Sequence, residues 1–219
     1  MINNIEILNL NISHYKQLLD AMKAAYINWT GNYWSEEVIE KLIAKFPNGQ
    51  YVIIADEQVV GCALSIIVKY DDYEDNHTYK QITGNYTFSS HNSKGDVLYG
   101  IEVFIRPEFR GLRLGRRLYD ARKELCEKLN LKAVIFGGRI PNYHNYAAEM
   151  QPKEYIQKVK LKEIYDPVLS FQLSNDFHVK KVLKNYMPED SESQEFATLL
   201  QWDNVYYSPE YFNNNRIRK

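Results

Sequence analysis

VLYGIEVFIRPEFRGLRLG, residues 97–115, decides how the rest of the chain is read. Its first nine residues form an apolar run of strand length. Pro107 ends that run, and Arg106, Arg110 and Arg113 then crowd into a turn that holds Gly111 and Gly115. From Gly111 onward Leu114, Leu118, Ala121, Leu125 and Leu129 recur at helical spacing on one face, which predicts a helix packed on a core. KAVIFGG, 132–138, is the next strand, so strand, helix and strand form a right-handed βαβ unit with parallel strands.

A strand that feeds a helix through glycines aims backbone N–H groups, and the positive end of the helix dipole, at one point. That arrangement receives an anion. Arg110, Arg113 and Arg116 add charge-assisted donors, which suit a pyrophosphate better than a single carboxylate. Neither GxGxxG nor GxxxxGK[ST] is present, so the turn is not a dinucleotide fingerprint or a P-loop.

RGLRLG, 110–115, resembles the RxxGxG/A signature of the GNAT superfamily of acyl-CoA-dependent N-acetyltransferases, and IEVFIRPEFRG looks like that family's fourth strand and its exit. The order of elements agrees over almost the whole chain. GGRIPNY and DPVLSFQLSNDF are similar to acetyltransferase modules found beside nitrilase-type hydrolase domains. The resemblance implies one α/β (α+β) domain over 1–219, with insertions at 71–96 and 139–165. Its sheet would be mixed, mostly antiparallel and twisted, with about seven strands, flanking helices and a V-shaped opening between strands four and five. Acetyl-CoA would lie in that opening, with its pyrophosphate on Arg110, Gly111, Leu112, Arg113, Leu114, Gly115 and Arg116 and its pantetheine along Val103, Phe104 and Ile105. The implied activity is acetyl transfer to a primary amine by direct attack in a ternary complex. The alternative is a noncatalytic acyl-CoA-binding sensor or scaffold.

Two departures stand out. The fourth signature position, glycine in most relatives, is Arg113, whose side chain must swing outward for a pyrophosphate to reach its amide. Gln172 stands where the family often carries a catalytic tyrosine acid.

Glu102, the only carboxylate of the motif strand, is the first candidate for binding or deprotonating the amine. Strict alternation puts it on the face opposite Tyr99 and Ile101, and a bulge in the strand would change which side chain faces the opening. Tyr99 is the second candidate base, with a packed core tyrosine as the other reading. Tyr143, Tyr146 and Tyr155, in the second insertion, are candidates to replace the missing acid. His77, His91, His144 and His178 have no metal spacing, and no metal is implied. The first insertion carries Asp71, Asp72, Glu74 and Asp75, and the second several aromatics; together they would favour a cationic amine, unless the charge run is a solvated face.

The remaining chain sets broad limits. A net charge of −1 over 219 residues gives no global field for nucleic acid or anionic membrane. The N-terminus lacks a basic segment followed by an apolar one, and VVGCALSIIV, 59–68, falls short of a membrane span. A cytoplasmic protein with a small-molecule or peptide amine acceptor, and a possible homodimer, is expected. Cys62 and Cys126 read as core residues. Helices are predicted over 14–29 and from Ser35, a hairpin over 51–70 turning at Glu57-Gln58, and strands over 177–187 and 196–205. Residues 71–96 are either a flexible excursion or a pair of extra edge strands around Gln81 to Phe88, two helical patterns break at Pro152, Pro167 opens another helical set, and 208–219 frays.

Overall fold

Strand β2, Gln50–Ala55, and strand β3, Gln58–Val68, form a hairpin, and the unbroken burial of β3 after Gln58 marks it as an interior strand. The turn between them is Asp56-Glu57, one residue earlier than expected. Both residues have positive φ, 45° and 69°, as the tight primed hairpin turns require. This computed structural model describes residues 4–29, 31–73 and 75–209, so Glu74 of the acidic run and most of the expected tail lie outside the described residues.

Strand β1, Ile5–Asn9, adds to β2. Helix α1, Tyr15–Ala25, ends four residues before the predicted Trp29; helix α2, Glu36–Lys45, begins after Ser35, whose hydroxyl accepts from the Val38 amide at 3.4 Å. After β3 the 71–96 insertion forms neither a loose excursion nor edge strands. A short helix α3, Tyr79–Ile82, capped by Thr78, and a kinked turn over Gly84–Phe88 bury Tyr79, Ile82 and Phe88 against the core. Aromatic packing decides against the edge strands that the sequence left open here.

Strand β4, Val97–Ile105, helix α4, Leu114–Lys128, and strand β5, Ala133–Arg139, make the expected βαβ unit. Pro152 starts helix α5, Pro152–Lys160, rather than breaking one, as fits a residue without a backbone donor. Helix α6, Leu169–Leu173, is held at its start by Asp166, which accepts from the amides of Val168 and Leu169. Strands β6, His178–Leu183, and β7, Ala197–Asp203, complete a seven-stranded mixed sheet of order β1-β2-β3-β4-β5-β7-β6. Among the described strands only β4 and β5 run parallel, and they pair through three residues, Val97 to Tyr99 against Ala133 to Ile135. Beyond Tyr99 they part. This fork is the V-shaped opening. Leu114 and Leu118 of α4 pack on Ile53, Ala55, Val60 and Ala63 on one face; Leu64 and Ile66, which point to the other, join the larger core under α1 and α2.

Candidate active site at the β4–β5 fork

One extra residue in β4 shapes the fork. Leu64 pairs with Glu102 and Ser65 with Gly100, so Ile101 has no partner of its own and forms a bulge. Tyr99 lies opposite Ile66 and Glu102 opposite Leu64, two β3 residues of the same face. Glu102 therefore shares the α1 face with Tyr99, where unbroken alternation would have put it on the α4 face.

The bulge also leaves backbone carbonyls without regular ladder partners, and α4 supplies them. Arg122, 1% exposed, donates to the carbonyls of Leu64, at 2.7 Å, and of Glu102, and its Nε donates to Ser65 Oγ at 3.0 Å. Gly100 lies beneath this guanidinium, and a Cβ there would stand 3.1 Å from it and 3.3 Å from Phe136. Burial lowers the Arg122 pKa, opposed by nearby Tyr119, Cys62 and Glu102.

On the α1 face the Glu102 carboxylate accepts from the Tyr26 hydroxyl and from the Val103 amide at 3.2 Å. Tyr26 follows the last residue of α1, and its hydroxyl also reaches the Val103 carbonyl at 3.3 Å. Burial pushes the Glu102 pKa above the ordinary carboxylate range, while the hydrogen bonds from Tyr26 and Val103 and the charges of Arg122 and Arg139 pull it down. Tyr26, which falls within the helix predicted over 14–29, is thus a polar partner of the acid.

A cleft of about 90 Å³ opens beside this pair, lined by Tyr26, Trp29, Arg139, Glu189, Asp190 and Glu192 among others. Arg139, the last residue of β5, donates to Asp190 through Nε at 2.7 Å and to Glu192 at 2.9 Å, with its guanidinium 5.8 Å from the centre of the Trp29 ring. The acidic wall of the cleft is therefore the 189–192 loop, between β6 and β7. The only hint of it in the sequence was the polar run PEDSESQ.

Just beyond the C-terminal end of β4, where the fork opens, Arg110 donates to the carbonyls of Ile105 and Ala25, both at 3.3 Å, tying the turn to the end of α1. Gly111 has φ +85°, which glycine adopts freely. Arg113 precedes α4 with φ 58° and ψ 19°, so its side chain is directed to solvent. Arg113 and Arg116 are exposed and make no ion pair among the described residues. The first-turn amides of Leu114, Gly115 and Arg116 have no intrahelical acceptor. Gly115 has a second constraint, since a Cβ there would stand 2.8 Å from Cζ of Phe171 in α6.

The other singled-out side chains are placed elsewhere. Tyr99 is fully buried, 2.7 Å from His77 Nε2 and 3.0 Å from the Tyr186 hydroxyl. Tyr143 donates to the Met150 carbonyl at 3.0 Å, and Tyr155 to Asp166 at 2.8 Å; Tyr146 packs against the Tyr155 ring. Gln172 is buried over Gly138 of β5. The structure brings Glu102, Val103 and Tyr26 together and joins none of Tyr99, Tyr143 or Gln172 to them by a hydrogen bond. Phe104 packs edge-on against Tyr26, and Val103 and Ile105 face the α4-side core.

Comparison with known proteins follows the same geometry. The model of the acetyltransferase (GNAT) family matches residues 15–148. The chain belongs to the GNAT acetyltransferase family. It is 33% identical over 174 residues to the uncharacterized N-acetyltransferase YkwB of Bacillus subtilis (strain 168), covering 80% of this chain and 76% of that protein. It is 44% identical over 177 residues to the probable hydrolase YhcX of the same organism, covering 81% of this chain but 34% of YhcX, so the chain spans about a third of that relative's length. The loading GNATL domain of CurA from Lyngbya majuscula has the same fold, with TM-score 0.80 and 25% identity over 92% of this chain and 98% of that one. No helix among the described residues is long and apolar enough to cross a membrane.

Proposed function

We propose that the protein transfers an acetyl group from acetyl-CoA to a primary amine by direct attack within a ternary complex. The observation that carries this reading is the pairing of Glu102 with Tyr26 at the fork, beside a cleft on the α1 side and close to the arginine turn that follows the C-terminal end of the same strand. The free amides and exposed arginines at the start of α4 suit the pyrophosphate, and the β4 edge from Val103 to Ile105 suits the pantetheine. Glu102, held above the ordinary carboxylate pKa by burial, is the group to accept a proton from an incoming ammonium. Tyr26 orients it. Tyr99, bound to His77 and Tyr186, shapes the wall behind it. Acetyl-CoA, an amine acceptor, a cytoplasmic setting and a single domain over 1–219 belong to this reading.

The test is thermal unfolding with acetyl-CoA, CoA, NAD and ATP, followed by release of free thiol across an amine panel. At about a hundred times the dissociation constant, specific binding adds about 2.7 kcal/mol. The expected result is a shift with the two CoA species alone and thiol release with at least one amine. The Arg116→Glu variant is expected to keep its melting temperature and lose about 10-fold or more in acetyl-CoA affinity. Unchanged affinity in that variant refutes the phosphate assignment.

A second reading, a noncatalytic acyl-CoA-binding sensor or scaffold, is favoured by one observation: both partners seen on the Glu102 carboxylate, Tyr26 and the Val103 amide, are already within the protein. Tight CoA binding with no thiol release from any amine would select it.

A further inference from the structure

Four buried side-chain polar atoms lack a hydrogen-bond partner among the described residues: Tyr119 Oη, Gln172 Oε1, Asn175 Oδ1 and Thr198 Oγ1. Buried polar groups are nearly always paired, so four exceptions gathered in one region call for a cause. They gather on the α4 face of β5, at the fork. A Cβ on Gly138 would stand 2.3 Å from Gln172 Oε1, which places that amide directly over β5. Thr198 is the cross-strand partner of Gly138 and so shares its face, and Asn175 sits in the turn that follows α6, bonded through its Nδ2 to the Phe171 carbonyl at 2.7 Å. Tyr119 stacks on Phe136 of β5, with ring centres 5.7 Å apart, and on Phe171 of α6 at 5.4 Å. Phe136 is the first residue of β5 beyond the last parallel pair, Tyr99 with Ile135, so the Tyr119 ring lies where the two strands begin to part. Gln172 stands beside the Tyr119 hydroxyl and pulls its pKa down, although neither Tyr119 Oη nor Gln172 Oε1 meets full hydrogen-bond geometry.

We propose that Tyr119 donates a hydrogen bond to the thioester sulfur as it leaves, with Gln172 as the polar neighbour beside the hydroxyl, so that the reaction is served from both faces of the sheet: Glu102 receives the amine's proton on the α1 side and Tyr119 stabilises the leaving group on the α4 side. The inference rests on the acetyltransferase reading. In the step, the amine nitrogen bonds to the carbonyl carbon, the C–S bond breaks, and its electron pair leaves on sulfur as a thiolate. The amine's proton passes to Glu102 and on to solvent, and the thiolate takes a proton from solvent on release. Tyr119 itself stays protonated throughout. Burial pushes its pKa up to about 12, above that of a thiol, so it acts as a fixed donor rather than as an acid. The Arg122 guanidinium, 5.9 Å from the centre of the Tyr119 ring, adds a favourable field for the developing negative charge.

The decisive variant is Tyr119→Phe. It keeps the ring that stacks on Phe136 and Phe171 and removes only an unpartnered hydroxyl, so its melting temperature should stay the same or rise. Two readouts are taken on the full chain. The first is kcat with a reactive amine, expected to fall about 100-fold with KM for the amine unchanged. The second needs no turnover: the thiol pKa of bound CoA, followed by thiolate ultraviolet absorbance against pH, is expected to lie about one unit higher in the variant than in the parent. Gln172→Leu should move both readouts the same way by a smaller amount. An unchanged thiol pKa in Tyr119→Phe overturns the proposal even if the rate falls, and so does a parent protein that binds no CoA. If the parent binds CoA but acetylates no amine, the acetyltransferase reading fails by itself, and the thiol pKa still decides whether Tyr119 faces the sulfur.

Discussion

Replacing Arg122 by methionine should damage both the stability of the protein and the behaviour of Glu102. Methionine keeps much of the aliphatic volume and loses the three hydrogen bonds, to Ser65 Oγ, the Leu64 carbonyl and the Glu102 carbonyl. Both carbonyls sit at the bulge, sealed under α4, and a buried acceptor left unpaired costs about 1–3 kcal/mol. Two of them give about 2–6 kcal/mol. Release of the guanidinium from a dry site returns part of this, because burying a cation is itself unfavourable. The expected net loss is about 2–4 kcal/mol, or about 5–15 °C in melting temperature for a chain of this size. Urea unfolding followed by tryptophan fluorescence and circular dichroism measures it. The second signature is electrostatic. Arg122 is one of the charges that lower the Glu102 pKa, so without it the Glu102 pKa rises further, and any limb of the pH–rate profile that reports Glu102 ionisation moves to higher pH. A loss below about 1 kcal/mol together with an unmoved limb would refute the view that Arg122 closes the bulge and biases the acid.

Three further outcomes follow from single side chains. The folded protein holds the Glu102 proton to higher pH than the unfolded chain, so Glu102 favours folding least once pH has risen through its raised pKa; the stability of Glu102→Gln relative to the parent should grow with pH from about 4.3 upward and then level. Urea midpoints across that range check this, and a flat difference counts against a raised Glu102 pKa; kcat should fall in the same variant with acetyl-CoA affinity kept. Arg113→Gly relieves a non-glycine residue held at φ 58°, worth about 1–2 kcal/mol, against about 0.5–1 kcal/mol of added chain entropy. Its melting temperature should equal or exceed the parent's, and a clear drop would show that the Arg113 side chain does more than point to solvent. Gly115→Ala places a methyl 2.8 Å from the Phe171 ring and should cost about 1–3 kcal/mol by urea unfolding, which Phe171→Leu in the same chain should partly restore.

The scaffold was legible because its signals are local. The apolar run 97–105, the helix period from Leu114 and the serine before α2 each mark an element by periodicity or capping, and the structure has all three. The errors came where packing at long range decides. Residues 81–88 carry a strand-like mix of Thr, Tyr and Phe, but Trp34 and Phe88 meet at 4.7 Å and pull the segment into a short helix and a kink beneath α2. Pro152 looked like a break because two apolar patterns flank it, yet a proline at the first turn of a helix leaves no donor unsatisfied.

The candidate site was only half legible, and the missing half comes from one inserted residue. The carboxylate of β4 is visible in any reading of IEVFI, but the face it occupies depends on whether Ile101 has a partner across the ladder. No residue in β4 announces the bulge by itself. The signal, if there was one, lies on another element: Arg122 falls on the packed side of α4, between Leu118 and Leu125, where a cation is out of place unless backbone acceptors await it. An arginine on a core-facing helix stripe, with a glycine on the strand it must cross, therefore argues for exposed carbonyls in that strand, and hence for a bulge and a change of face beyond it. By this rule Gly100 and Arg122 together place Glu102 on the α1 side with Tyr26, and the substitution Arg122→Met tests the rule as well as the residue.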